Sequence, residues 1–162
     1  MKVVADSSVL ISLSSIGLLD LLRQRFPDGI MVPPAVWYEV VDLGRGRPGA
    51  DAVRASTWIQ VVEPANEALI LDLRAGLDPG EAEAIALALE QQALLLLDER
   101  EARRRAVHLG LSVLGTVGIL IWARREALIP SLAEALDACQ EKGSFRISEL
   151  LRCQALESVG EA

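Results

Sequence analysis

Short, uninterrupted apolar runs alternate along this chain with longer stretches in which apolar residues recur at helical spacing. The runs are VVAD (3–6), IMVPP (30–34), WIQVVEP (58–64), LLLLDE (94–99) and LSVLGT (111–116). Each ends in polar or turn-forming residues, as buried strands do, and near-continuous apolarity suits strands covered on both faces, hence parallel ones. Between them, VLISLSSIGLLDLLRQRF sets Leu10, Leu13, Leu18, Leu21 and Leu22 on one broad face, with a break expected near Gly17. PAVWYEVVDLG opens with Pro34 at a first-turn position and closes on Gly44.

PGEAEAIALALEQQ is the clearest helix: Pro79 suits its start, Glu81 and Glu83 its positive end, and the Ala/Leu run has high helix propensity. EREARRRAVHLG follows the LLLL run and stops at Gly110, with His108 near its end. SLAEALDACQEKG and ISELLRCQALESV predict a C-terminal helical hairpin. Strand–helix alternation of this kind predicts an α/β sandwich with right-handed crossovers. No repeat, low-complexity tract or linker interrupts the pattern. One domain over residues 1–162 is expected, its core reaching residue 128 and its C-terminal helices covering 129–158. The GRGRPG loop (44–49) reads as the most mobile segment.

Composition narrows the functional classes. With 51% hydrophobic residues in 162, the chain can bury a proper core and is not disordered. Its apolar runs fall far short of the roughly 20 residues of a membrane span. MKVVADSS leaves no room for an apolar signal region before Asp6, so a cytoplasmic protein with no membrane association is expected. Cys139 and Cys153 lack metal-site spacing and read as packing residues. A formal charge of −7 argues against nonspecific coating of nucleic acid, though not against handling it at one local site.

The acids carry the candidate chemistry. In a parallel α/β fold, ligands bind beyond the carboxyl ends of the strands. Asp6 ends the first strand and Asp98 the LLLL strand; Glu81 lies in the first turn of the helix feeding that strand, and Glu39 one turn into the helix after IMV. Four carboxylates brought to one sheet edge would repel one another and raise some of their pKa values. A hard divalent cation, Mg²⁺ or Mn²⁺, relieves that repulsion with oxygen ligands. Each acid also has a plainer use: Asp6 and Asp98 as helix caps, and Glu81 as a complement to a helix dipole. Glu39, among Trp37, Tyr38, Val40 and Val41, is the hardest to explain without a partner.

The successive stretches VVADSSVLI, VPPAVWYEV, LDPGEAEAIALALE, LLLLDEREARRRA and LSVLGTVGIL resemble, in order and over residues 3–128, the motifs of the PIN-domain nucleases. The resemblance is strongest to the VapC-like toxins of toxin–antitoxin pairs. It implies a PIN-like three-layer α/β/α sandwich around a central, mostly parallel sheet. It matches Asp6, Glu39, Glu81 and Asp98 to the four acids, and Ser8, or failing that Ser7, to the hydroxyl after the first. Thr116 falls near the site as a lesser polar contributor. Many PIN enzymes carry a further aspartate after the fourth acid's strand; here Glu99 and Glu101 stand in that region, which leaves one or two bound ions open.

The resemblance implies a Mg²⁺- or Mn²⁺-dependent endoribonuclease hydrolysing phosphodiester bonds in RNA. Asp6, Glu81 and Asp98 would be the metal ligands, Glu39 a group that orients or deprotonates water, and Ser8 a support for Asp6. Arg45 and Arg47 in the glycine-rich loop, with Arg100 and Arg103 beyond Asp98, are candidate phosphate contacts. The alternative for the arginines is a solvated helix face paired with Glu99 and Glu101. A homodimer and a small antitoxin partner are also implied by the resemblance. Two rival readings are a PIN fold that binds a partner without cleaving, and a receiver-like phosphoacceptor domain. The second wants a lysine after its last strand, and neither Lys2 nor Lys142 falls there.

Overall fold

The computed structural model describes residues 1–142 and 145–161. Five strands form one parallel sheet: β1 (Val3–Ala5), β2 (Ile30–Val32), β3 (Ile59–Val61), β4 (Leu94–Leu96) and β5 (Val113–Leu114), in the order β3-β2-β1-β4-β5. All five apolar runs become strands, each shorter than its run because the flanking polar residues are turns and caps. Val3, Val4, Ala5, Leu95 and Leu96 are 0–1% exposed. Burial on both faces is what a continuous apolar run needs.

The first half of the chain builds the sheet outward from β1 in one direction and the second half in the other. The crevice at such a reversal lies beyond the carboxyl ends of the central strands. Asp6 leaves β1 there and Asp98 follows β4, and these strands pair directly, with Ala5 beside Leu96 and the Asp6 amide donating to the Leu96 carbonyl at 2.9 Å. The topology alone therefore brings two carboxylates together that are 92 positions apart in the chain.

Helices cover the sheet in two groups, giving the three-layer α/β/α architecture. One group contains α1 (Ser7–Ser15), α2 (Asp20–Arg25), α8 (Thr116–Arg125) and α9 (Leu132–Lys142); the other contains α3 (Pro34–Trp37), α5 (Glu67–Leu73) and α6 (Pro79–Gln91). The remaining helices are α4 (Ala50–Ala55), against α1, α7 (Arg100–His108), beside β5, and α10 (Glu149–Ser158), against α8. The break between α1 and α2 falls at Gly17, whose φ of +75° is easy only for glycine. The C-terminal helices are joined by an Arg152–Asp137 ion pair at 2.9 Å. Their tail is fixed by Glu161, which accepts from the Leu132 amide at 2.7 Å and pairs with Arg124 at 3.0 Å. These partners hold the Glu161 carboxyl below its usual range, the amide of Leu132 having the largest effect.

Some details depart from the sequence pattern. The helix expected over PAVWYEVVDLG is one α-helical turn followed by a π-helical turn, Tyr38–Asp42, with Leu43 donating to the Tyr38 carbonyl at 2.8 Å. The wider turn accompanies burial of Val36, Val40 and Val41 together. Helices α4 and α5, at six and seven residues, are too short to show a periodic stripe and were not anticipated. The glycine-rich loop is fastened at its far end: Gly49, at φ +91°, lies so close to α1 that a Cβ there would come within 2.4 Å of Ser14 Oγ. Cys139 is buried as expected, but Cys153 is exposed on α10 and is no core residue. Among the described residues no helix is long and apolar enough to cross a membrane.

Candidate active site

A cleft of about 510 Å³ opens beyond the carboxyl ends of β1 and β4, within the roughly 300–1,000 Å³ range of ligand sites. Its walls include Asp6, Glu39, Asp78, Glu81, Asp98 and Glu99, together with Ser7, Ser8, Arg100 and Arg146. All four acids singled out in the sequence face it. Asp78 and Arg146 were not singled out.

Asp6 is 2% exposed. One oxygen, Oδ2, accepts from the Ser8 amide at 3.3 Å and the Ser8 hydroxyl at 3.0 Å, so the residue does cap α1. The other, Oδ1, is buried with no hydrogen-bond partner among the described residues. A buried carboxylate left half-satisfied resists ionisation. Burial pushes the Asp6 pKa up to about 7, against the lowering effect of Ser8, and the charge of Asp78 adds to the rise.

Ser8 Oγ has a second task, accepting from the Asp98 amide at 3.1 Å. Asp98 in turn accepts from the Thr116 amide (Oδ1, 2.7 Å) and hydroxyl (Oδ2, 2.6 Å) at the start of α8. Thr116 is fully buried. A single chain of hydrogen bonds thus runs from Asp6 through Ser8 and Asp98 to Thr116, fixing both strand-end aspartates. Gly115 makes room for it: a Cβ at this position would lie 2.8 Å from Asp98 Oδ1 and 2.5 Å from Arg103 Nη1.

The other acids are carried by helices. Asp78 and Glu81 form a reciprocal capping box at the start of α6, with the Glu81 amide donating to Asp78 Oδ1 at 2.8 Å and the Asp78 amide to Glu81 Oε2 at 3.1 Å. Burial raises the Glu81 pKa to about 7; Asp78, Asp6 and Glu99 push in the same direction. Glu39 sits in the π-helical turn. Its pKa is raised by burial and by Asp78, against the Ser7 hydroxyl and the charge of Arg47. A Cβ at Gly80 would lie 3.2 Å from Glu39 Oε2 and 3.5 Å from Asp78 Oδ1, so Gly80 lets these two carboxylates approach across α6. Asp78 is thus the charge felt by Asp6, Glu39 and Glu81 alike. Its signal was present in DPGE, read only as a helix start.

The remaining candidates divide. Glu99 lines the cleft but caps α7, accepting from the amides of Glu101 at 3.2 Å and Ala102 at 2.7 Å. Glu101 does not line it and pairs with Arg104 at 3.2 Å. Thr116 acts through Asp98. Of the arginines, Arg100 lines the cleft. Arg103 donates to the Leu97 carbonyl at 3.0 Å and braces the end of β4. Arg45 and Arg47 are exposed on the glycine-rich loop, outside the cleft wall.

These acids share one edge of a five-stranded parallel sheet, and the whole chain can be placed among known proteins. The family model described as "PIN domain" (DUF3368) matches residues 2–161. The chain belongs to the PIN-domain family. PIN domains are typically nucleases and generally bind divalent metal ions. A solved PilT N-terminus domain protein from the hyperthermophilic archaeon Sulfolobus solfataricus P2 has the same fold, with a TM-score of 0.50 over 91% of this chain and 100% of its own, at 17% identity. No curated protein matches the chain significantly.

Among the described residues, no three His, Cys, Asp or Glu side chains are gathered tightly enough to chelate an ion as they stand. The residues nonetheless fit a hard, partly hydrated divalent cation. The metal-binding groups that the cleft offers are carboxylate and hydroxyl oxygens, its acids repel one another, and Asp6, which lines it, keeps Oδ1 without a hydrogen-bond partner among the described residues.

Proposed function

We propose that this PIN domain is a Mg²⁺- or Mn²⁺-dependent endoribonuclease. The observation that carries the reading is the Asp6 carboxylate: buried, half without partners, and set among five further acids in one cleft. Holding it there raises its pKa to about 7, a cost that capping α1 through Oδ2 leaves unrelieved at the unpartnered Oδ1. Ser8 ties this carboxylate to the Asp98 backbone, donating to Asp6 Oδ2 and accepting from the Asp98 amide.

Asp6 and Asp98 would hold the cation, with Glu81 as a direct or water-mediated ligand. When bound, the ion supplies charge neutralisation at the phosphate and activation of water. Ser8 and Thr116 hold the two aspartates in position. Glu39, on its π-helical turn, is the group to orient or accept a proton from the attacking water, and burial raises its pKa in the direction a general base needs. Arg100 at the cleft wall is the phosphate contact favoured among the four expected ones, with Arg45 and Arg47 further out on the loop. Arg103 is better read as a brace.

The VapC-like toxin role, with a small antitoxin and a homodimer, is carried by the sequence motifs. The test of the enzyme is cleavage of single-stranded RNA in Mg²⁺ or Mn²⁺ by the wild type and by Asp6→Asn. Metal-dependent cleavage by the first and not the second is the expected result. Equal cleavage by both, or none by either despite divalent-ion binding, overturns it. Growth arrest on expression, relieved by a co-expressed small neighbour, tests the toxin role, and size-exclusion chromatography with light scattering tests the dimer.

A further inference from the structure

Six acids line the cleft, and a polyanionic strand must enter it. The four arginines of α7 meet different fates. Arg103 is bound to the Leu97 carbonyl, Arg104 is paired with Glu101, and Arg105 stands 4.0 Å from Asp72. Arg100 has no ion pair or side-chain hydrogen bond among the described residues, and it lines the cleft. A second guanidinium does the same from a distant part of the chain. Arg146 lies between α9 and α10, where Phe145 is 8% exposed and Ile147 packs against the core. Apolar anchors on both sides leave Arg146 itself exposed at the cleft. Its only hydrogen bond among the described residues is from Nη1 to the Phe145 carbonyl, at 3.3 Å.

Neither arginine comes within salt-bridge distance of the acids beside it, so neither serves to neutralise the cleft internally. We propose that Arg146, with Arg100, binds the phosphodiester backbone of a single strand entering the cleft, making Arg146 a substrate-binding residue. The inference rests on the nuclease reading for its substrate, and it adds a contact from the C-terminal segment. That segment is held to the rest of the fold by the Arg152–Asp137 pair and the Glu161 contacts. A guanidinium suits the task because it offers several donors and stays charged. Since phosphate contacts do not read bases, the contribution is to affinity and position rather than sequence choice.

The experiment measures binding apart from cleavage. Asp6→Asn protein in Mg²⁺ is titrated with a labelled single-stranded RNA between roughly 50 and 200 mM salt. Adding Arg146→Ala is expected to weaken binding several-fold at low salt and to flatten the log–log salt slope by about 0.7, the loss of one phosphate contact on a single strand. Arg146→Lys should keep the slope, and Arg104→Ala, away from the cleft, should leave it unchanged. DNA of the same sequence should show the same loss on Arg146→Ala. An unaltered slope with Arg146→Ala, an equal change with Arg104→Ala, or a loss confined to RNA overturns the assignment. Arg146-dependent binding without cleavage by the wild type would sink the nuclease reading alone. Cleavage with Arg146-independent binding would sink this inference alone.

Discussion

The two halves of the acidic cleft are built on different principles. Asp6 and Asp98 sit at the ends of paired central strands, linked by Ser8 and locked by Thr116. Glu39, Asp78 and Glu81 ride on a π-helical turn and the first turn of a helix, two of them engaged in capping each other. The strand half is positioned by the sheet and a hydrogen-bond chain; the helical half is positioned by local backbone needs that have their own claim on the carboxylates. Sheet pairing and a hydrogen-bond chain set one side of the cleft, a capping box and a π-helical turn the other.

On that contrast, the largest loss comes from the strand half. Asp6→Asn should cut divalent-dependent cleavage by at least about 100-fold, measured as kcat/KM on a single-stranded substrate. The same change should stabilise the metal-free protein. Because the folded pKa of Asp6, about 7, is raised from 3.8, the folded state binds more protons between these values. Its contribution is fully present below the lower value and is lost as pH rises through about 7. Metal-free wild type should therefore lose thermal stability across this window. At pH 8 with chelator, Asp6→Asn should melt higher, by roughly 2–4 °C per kcal/mol recovered. A flat wild-type profile, or a lower melting temperature for the variant, would contradict the strained-carboxylate picture.

Thr116→Val comes next. It strips Asp98 of its 2.6 Å hydroxyl partner in a fully buried position, which should cost about 1–3 kcal/mol in denaturant unfolding and about 10–100-fold in cleavage. Ser8→Ala removes the bridge between the aspartates and should lower cleavage about 10-fold with a smaller stability change. In the helical half, Glu81→Gln should act mainly on ion dependence. A divalent titration of activity should shift to higher concentration. Glutamine still closes the capping box and removes a carboxyl whose pKa burial raises to about 7, so the metal-free variant should melt no lower than wild type at pH 8. A Glu81→Gln loss as large as that of Asp6→Asn would erase the distinction between the halves. Glu101→Gln, breaking only a surface pair, should change stability by less than about 1 kcal/mol and leave cleavage as it was.

The same contrast explains what could be read from the sequence. The strand-end aspartates were legible because an apolar run that stops at an acid marks both a strand and its carboxyl end; VVAD and LLLLD state their own geometry. Glu39 was legible through its apolar neighbours, although its π-helical turn was not, since nothing in WYEVVD distinguishes a wide turn from an ordinary one. Asp78 was hidden by its other use, as DPGE satisfies the rules for a helix start without calling for anything more. Arg146 lies in a stretch with no periodicity, and only the packing of Phe145 and Ile147 reveals which way it turns. The arginines of α7 looked equivalent in sequence because what separates them is their neighbours in space.

Gly115 has a consequence for how relatives of this chain should be sorted. Because a side chain at that position would press on both Asp98 and Arg103, a descendant could keep every carboxylate of the cleft and still lose its alignment through one change at a residue without chemistry. A census of acids would not register such a change. The glycine is the better marker of whether the inheritance is intact.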